Sequence, residues 1–230
     1  MAQRDNRTIT ITPQVLLKAY SCGIFPMAES ADDPALYWIE PQQRGVLPLS
    51  GIHLSTRMAQ TLRNTHLRVK IDTNYAGVIE GCAAPRPGRR TTWINRRIRE
   101  LYAELFELGY CHTVETWNGD RLVGGLYGVA LNGAFFGESM FSLEREASKI
   151  ALMHLAARLI HGNFVLLDTQ FVTDHLRQFG AREVERTEFQ GLLEIALEQQ
   201  AHFGALPAET PAEQVIEIID DASGKAQPDP

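Results

Sequence analysis

Only 3 cysteines occur in 230 residues, and Cys22, Cys82 and Cys111 stand too far apart to form a Cys-x-x-Cys pair. So odd and scattered a set points to neither a disulfide framework nor a zinc site. Core-filling thiols in a reducing compartment are the simpler reading, and a cytoplasmic location is expected. Long apolar runs are missing too: each candidate is broken by charge within a few residues, so none is expected to span a bilayer. The opening MAQRDNRTITIT lacks the basic-then-apolar order of a secretory leader. Positive charge is in short supply, with 22 Lys and Arg against 28 Asp and Glu and a net charge of −6. That balance argues against indiscriminate coating of nucleic acid. Walker A, His-Glu-x-x-His and Gly-x-Ser-x-Gly sequences are absent, and RLVGGL lacks the glycine spacing of a dinucleotide loop. The 7 histidines show no ligand-like pairing, so neither a metal nor a cofactor is expected.

Hydrophobic residues make up 44% of the chain and charged residues 22%, the composition of an ordinary globular protein large enough to bury a core. The charge is unevenly placed. Residues 206–230 carry a net −5, leaving the remainder near neutral with its arginines clustered. A local phosphate-binding patch is therefore compatible with the acidic total.

Thr12 as a cap, Pro13 in the first turn and Gly23 beyond the end predict a short helix over 12–22. Prolines 26, 34, 41 and 48 predict loops and short strands, so residues 1–50 read as a small N-terminal unit. Ser55 is placed to cap a helix, followed by a strand at 67–72 and a helix near 74–83. Another helix is expected from about 94 to 108, with Ile94, Ile98, Leu101, Tyr102 and Leu105 on one face and Gly109 closing it. Three strands, HTVETW, RLVGGLYGVAL and GAFFGESMF, are separated by the hairpin signals Asn118-Gly119 and Asn132-Gly133. A long helix over 144–161, the strand FVLLDTQ, a short helix from Thr173 and an amphipathic helix around 187–203 complete the main unit, 51–210. The final stretch, 211–230, reads as an acidic, largely disordered tail. This order predicts an α+β fold with a mainly antiparallel sheet flanked by helices, compatible with an acetyltransferase-like (GNAT) arrangement.

Two strands concentrate the unusual residues. In FVLLDTQ, spacing of two places Asp168 and Gln170 on the same face of an otherwise apolar strand. They form a small polar site, or else Asp168 caps the next turn and Gln170 is merely exposed. In FFGESMF, Glu138 is charged amid aromatics and needs a partner or a function, unless it faces solvent. Leu126, Tyr127, Phe135, Phe136, Met140 and Phe141 could wall an apolar pocket or simply fill the core. Arg86, Arg89, Arg90, Arg96, Arg97 and Arg99 surround Trp93, a mixture suited to a phosphate chain with a stacked base or to a solvated helix face.

Several runs together resemble one family, the leucyl/phenylalanyl-tRNA–protein transferases. They are LLKAYSCGIFPM (16–27), VIEGCA (78–83), TWI (92–94), LYAELFELGYCHTVETW (101–117), LVGGLYGVALNGAFFGESMFS (122–142), ASKIAL (147–152) and LLDTQFVTDHLRQFGAREVER (166–186). They follow the family's order and cover most of residues 16–190. The resemblance implies a small N-terminal domain joined to a GNAT-like domain. It implies transfer of Leu or Phe, and less well Met, from aminoacyl-tRNA to proteins beginning with Arg or Lys, which marks them for degradation. It further implies that Asp168, Gln170 and Glu138 are catalytic and that Leu126, Phe135 and Trp93 surround the substrate, with Phe136, Met140 and Tyr102 expected beside them. Met27, Arg57, Arg63, Arg86, Arg89 and Arg90 would bind tRNA, and a monomer is expected.

Four departures accompany the match. Thr169 replaces the cysteine common between the catalytic pair, and its side chain is expected to point to the opposite face. Leu143 follows GESMFS where arginine is frequent. Ala59, Gln60 and Asn64 thin the basic helix, and Met27 stands where some members carry a stacking tryptophan. A rival reading is an N-acyltransferase of the GNAT type using acyl-CoA, but SMFSLEREASK has no glycine and two glutamates where a pyrophosphate loop belongs. A non-catalytic tRNA- or peptide-binding module is the third reading.

Overall fold

A computed structural model describes residues 11–85 and 91–224. Arg86, Arg89 and Arg90, expected to bind tRNA, lie outside the described residues.

Local chemistry sets the first elements. Helix α1 (Pro13–Ser21) opens where Thr12 accepts a hydrogen bond from the Val15 amide at 3.3 Å, and the chain turns away through Gly23 at φ +77°. Strands β1 (Phe25–Met27) and β2 (Tyr37–Ile39) form a small antiparallel sheet of their own. Strand β3 (Gln43–Val46), assigned by the sequence to the N-terminal unit, instead joins the main sheet. Ser55 caps α2 (Thr56–Asn64), Asn74 caps α3 (Tyr75–Ala83) and Asn95 caps α4 (Arg96–Glu107), each side chain accepting from the amide three residues on. Strand β4 (Arg68–Ile71) lies between α2 and α3. Ile94 precedes α4 rather than belonging to it, yet is buried.

Strands β5 (Cys111–Asn118), β6 (Arg121–Leu131) and β7 (Ala134–Ser142) form two hairpins. The first turn is Gly119-Asp120, one residue later than expected, and the second is Asn132-Gly133. Each has its first residue at positive φ, +59° for Gly119 and +51° for Asn132, which suits the twist of tight hairpins. Then follow α5 (Ala147–His161), β8 (Leu166–Gln170), α6 (Asp174–Arg177), β9 (Arg182–Glu185) and α7 (Arg186–Glu198).

The seven-stranded sheet runs β4-β5-β6-β7-β8-β3-β9, and its neighbours are antiparallel except β7 and β8. Strand alternation sends Val114, Leu126, Phe135 and Leu167 into one core with α2 and α5, and Cys111, Tyr127, Phe136 and Leu166 into another with α1, α3, α4 and α7. The sheet is thus covered on both faces. Buried Arg158 of α5 donates to the carbonyls of Phe203, Leu206 and Pro207, pinning the chain that leaves α7.

The expectation of a largely disordered tail from 211 is corrected for its first half. Residues Ala212–Ala222 form α8, which buries Val215, Ile216 and Ile219 in the α5 core while its acids face outward. Apolar residues at i, i+1 and i+4 make one helical stripe, a pattern outweighed in the sequence by the density of acids.

Candidate functional site

Two irregularities open the sheet between β7 and β8. Their parallel pairing ends at Phe136 opposite Asp168, though β7 continues to Ser142. Opposite β6 the register jumps from Tyr127↔Ser139 to Gly128↔Gly137, leaving Glu138 as an extra residue on β7. Opposite β3 it jumps from Val46↔Asp168 to Gly45↔Gln170, leaving Thr169 extra on β8. Gly45 permits that second bulge: a Cβ there would stand 2.7 Å from Thr169 Oγ1 and 2.8 Å from the Phe171 carbonyl carbon.

Between the splayed ends lies a cavity of about 500 Å³. Leu126, Met140, Leu152, Leu155, Leu167 and Leu176 supply its apolar wall, whereas Phe25, Met27, Trp93 and Phe171 supply aromatic and thioether surface. Glu138, Thr169, Gln170 and His175 supply polar atoms. Seven buried side-chain polar atoms among the described residues have no hydrogen-bond partner, and four of them, on Tyr127, Thr169, Gln170 and His175, belong to residues lining this cavity. Buried polar groups are normally paired. Their concentration around one apolar hollow makes it the candidate ligand site.

Asp168 is fully buried behind the cavity wall rather than in it. Arg44 grips its carboxylate with two bonds, Nε to Oδ1 at 2.9 Å and Nη2 to Oδ2 at 2.6 Å. The same guanidinium donates to the Gly23 carbonyl at 2.7 Å and lies between the rings of Phe25 and Phe189, 4.6 and 4.5 Å from their centroids. Asp168 Oδ1 also accepts the backbone N–H of Gln170 at 2.8 Å. That bond holds Gln170 in a left-handed conformation, φ +55°, a strained state found where a side chain must be aimed. The turn breaks strict alternation. Asp168 and Gln170 therefore do not share one face, and Thr169, expected to point away, lines the cavity instead.

Glu138 faces the cavity with each oxygen already engaged. Tyr20 Oη donates to Oε1 at 2.6 Å and Tyr102 Oη to Oε2 at 3.0 Å, and the two phenols also contact each other. Burial pushes the Glu138 carboxyl up to about 7; the two phenols pull it down, Asp168 raises it and Arg44 lowers it. Burial raises Tyr20 and Tyr102 well above the ordinary phenol value, so both stay protonated donors. Desolvation also lowers His175, leaving its imidazole neutral at pH 7.

Of the residues expected around the substrate, Leu126, Met140 and Trp93 line the cavity, and so does Met27, expected to bind tRNA. Phe135, Phe136 and Tyr102 do not. Phe135 stacks on Phe203 in the α5 core, Phe136 packs 4.7 Å from Tyr20 on the opposite face, and Tyr102 lies behind Glu138. The bulge at Glu138 places the cavity beyond both phenylalanines. Arg57 and Arg63 are exposed on α2; Arg57 borders a separate hollow with His66 and Arg145. Arg44, Tyr20 and His175 were not singled out from the sequence as site residues. Arg44 and Tyr20 gain their partners 124 and 118 residues away, and no local pattern announces such pairs.

A family model for the leucyl/phenylalanyl-tRNA protein transferase matches residues 46–194, and the model of its N-terminal domain matches 10–42. The chain is similar to the leucyl/phenylalanyl-tRNA–protein transferase of Afipia carboxidovorans, at 60% identity over 92% of this chain and 93% of that one. It is also similar to that of Nitrobacter winogradskyi, at 58% identity over 96% and 99%. Among solved structures, a functionally unknown conserved protein from Staphylococcus epidermidis aligns at a TM-score of 0.40 with 12% identity over 77% of this chain and 66% of that one. So distant a likeness supports no argument here.

Proposed function

The chain belongs to the leucyl/phenylalanyl-tRNA–protein transferase family, and from that membership and the cavity between β7 and β8 we propose that it moves Leu or Phe from aminoacyl-tRNA to the N-terminal amine of another protein. Met is a poorer donor residue, and acceptors begin with Arg or Lys. The observation carrying this reading is the apolar cavity that ends in an unpartnered Gln170 amide and the Glu138 carboxyl. A leucine or phenylalanine side chain suits a wall of leucines and Met140, and its burial contributes about 1.5–3 kcal/mol. Trp93, Met27 and Phe171 offer surface for the terminal adenine. The splayed parallel pair within an otherwise antiparallel sheet supports the GNAT-like reading of the catalytic domain.

Chemically, an amine attacks the ester that joins the amino acid to the tRNA. An α-amine has an ordinary pKa of about 7.7–8.0, which leaves a useful neutral fraction at pH 7. Ester-to-amide exchange runs downhill, so positioning and proton movement are the main tasks of the protein. The Gln170 amide orients the reacting groups. Asp168, neutralised by Arg44, acts through the backbone of Gln170 and not through its side-chain amide. Ionised Glu138 favours a cationic acceptor. The acyl-CoA reading loses support at α5, whose first turn follows Glu144 and Glu146, with Glu146 itself in a left-handed conformation at φ +65°. Two carboxylates there oppose a pyrophosphate.

Transfer of radiolabelled leucine from Leu-tRNA to a peptide with N-terminal Arg, beside its acetylated counterpart, tests the reading. Label is expected on the free-amine peptide only. Label on neither, with tRNA bound, would overturn it.

A further inference from the structure

One proton must move during the reaction proposed above, and few groups in the cavity are able to carry it. The Gln170 amide is neutral and a very poor base. Asp168 is sealed behind the wall with both oxygens occupied by Arg44. Tyr127 is a phenol pushed well above its ordinary value by burial and by Glu138, so it holds its proton. His175 lines the cavity from α6, and desolvation makes it a weaker base than an ordinary imidazole. Glu138 remains, with one face open to the cavity.

The surroundings of Glu138 are unusual in their proton count. Three oxygen pairs are in contact: Tyr20 with Glu138, Tyr102 with Glu138, and Tyr20 with Tyr102. Two phenols supply two protons, so ionised Glu138 leaves one of the three contacts without one. A proton on the carboxyl completes the set. The ionised form keeps two charge-assisted bonds and the protonated form gains a third contact, so neither state is left bare.

We propose that Glu138 is the group that takes the proton from the attacking amine, with Tyr20 and Tyr102 as positioning residues that hold its carboxyl in both protonation states. This rests on the transferase reading above. The amine nitrogen forms its bond to the ester carbonyl carbon. The bond from that carbon to the 3′ oxygen of the terminal adenosine breaks with its electron pair on oxygen. One amine proton passes to Glu138 and from there to the 3′ oxygen, so Glu138 ends ionised as it began.

The ionisable groups coupled to Glu138 come from six different elements. Tyr20 comes from α1, Tyr102 from α4, Tyr127 from β6, Cys111 from β5, Arg44 from β3 and Asp168 from β8. A carboxyl with an affinity near 7 is well matched to an amine of about 7.7–8.0, because proton transfer between them is close to balanced.

Single-turnover transfer from Leu-tRNA to an Arg-peptide, measured from pH 5.5 to 9, tests the proposal. Wild-type protein is expected to show two ionisations on its acid limb, from Glu138 and from the amine. Glu138→Gln is expected to lose the lower one and to fall by about 100-fold while still binding tRNA. Tyr20→Phe and Tyr102→Phe each remove a donor that stabilises the carboxylate, so each is expected to move the lower ionisation up by about one pH unit. Thermal unfolding of each variant separates this shift from loss of fold. An unchanged acid limb in Glu138→Gln, or phenylalanine variants that alter only KM, would overturn the proposal. A wild-type protein with no transfer at any pH would instead overturn the transferase reading on which it rests.

Discussion

Arg44 and Asp168 form a charge pair closed off from solvent, with 1% and 0% of their surfaces exposed. Removing one partner of such a pair leaves the other charged and unpaired, at a cost of about 3–5 kcal/mol. Arg44→Met is expected to lose that much in urea unfolding, whereas Arg44→Met with Asp168→Leu should recover much of it. A double-mutant cycle measures the difference. Glu138 behaves in the opposite sense. Its carboxyl binds a proton more tightly when folded, at about 7, than when unfolded, at about 4.3. The folded state therefore holds more protons in that window, and stability falls as pH rises through it. The contribution is on the order of 3 kcal/mol. Unfolding of Glu138→Gln is expected to show a smaller decline between pH 4.5 and 7 than the wild type. Both residues stand out in the sequence as charges within apolar strands, but their partners do not. A carboxylate in such a strand announces a need, and the chain gives no local clue to which distant group meets it.

Strand β8 shows how a single glycine shapes the site. Gly45 lets Thr169 and the backbone of Phe171 pass close to β3, and a methyl group there would collide with both. Gly45→Ala is expected to displace the Gln170 turn and lower the transfer rate by tenfold or more (about 1.4 kcal/mol or above in the barrier) with little change in tRNA affinity. Single-turnover kinetics beside a tRNA titration check both halves. Helix α8 contributes differently. Its Val215, Ile216 and Ile219 complete the core over α5. Ending the chain at Pro211 removes three buried aliphatic side chains, each contributing about 1.5–3 kcal/mol. A clear fall in midpoint temperature by calorimetry is expected. An unchanged midpoint would mean that α8 adds nothing to the core.

The charge of the entire chain, −6, sets how it meets a polyanion. On the described part of α2 the exposed cations Arg57 and Arg63 remain, while Ala59, Gln60 and Asn64 are uncharged. Few phosphate contacts mean few released counterions. The slope of log affinity for tRNA against log salt is expected to be shallow, on the order of −2. Filter binding from 50 to 300 mM salt measures it, and a slope far steeper would place more phosphates on the protein than these cations explain. No described helix is long and apolar enough to cross a membrane.

Residue order alone marked most of the helices and the run of hairpin strands, though not α8. Caps such as Thr12 and Ser55, breakers such as Gly23 and Gly109, and the 3.6- and 2-residue apolar periods act within a few positions of themselves. It also carried the family resemblance through the runs around Glu138 and Asp168. The tertiary structure decided where those elements meet. It put β3 between β8 and β9, inserted Glu138 and Thr169 as bulges, and turned Asp168 away from the cavity toward Arg44. Periodicity assumes a regular strand, so a bulge defeats it: one extra residue reverses every face that follows. Phe135 and Phe136 precede the bulge at Glu138, and the cavity begins just beyond them.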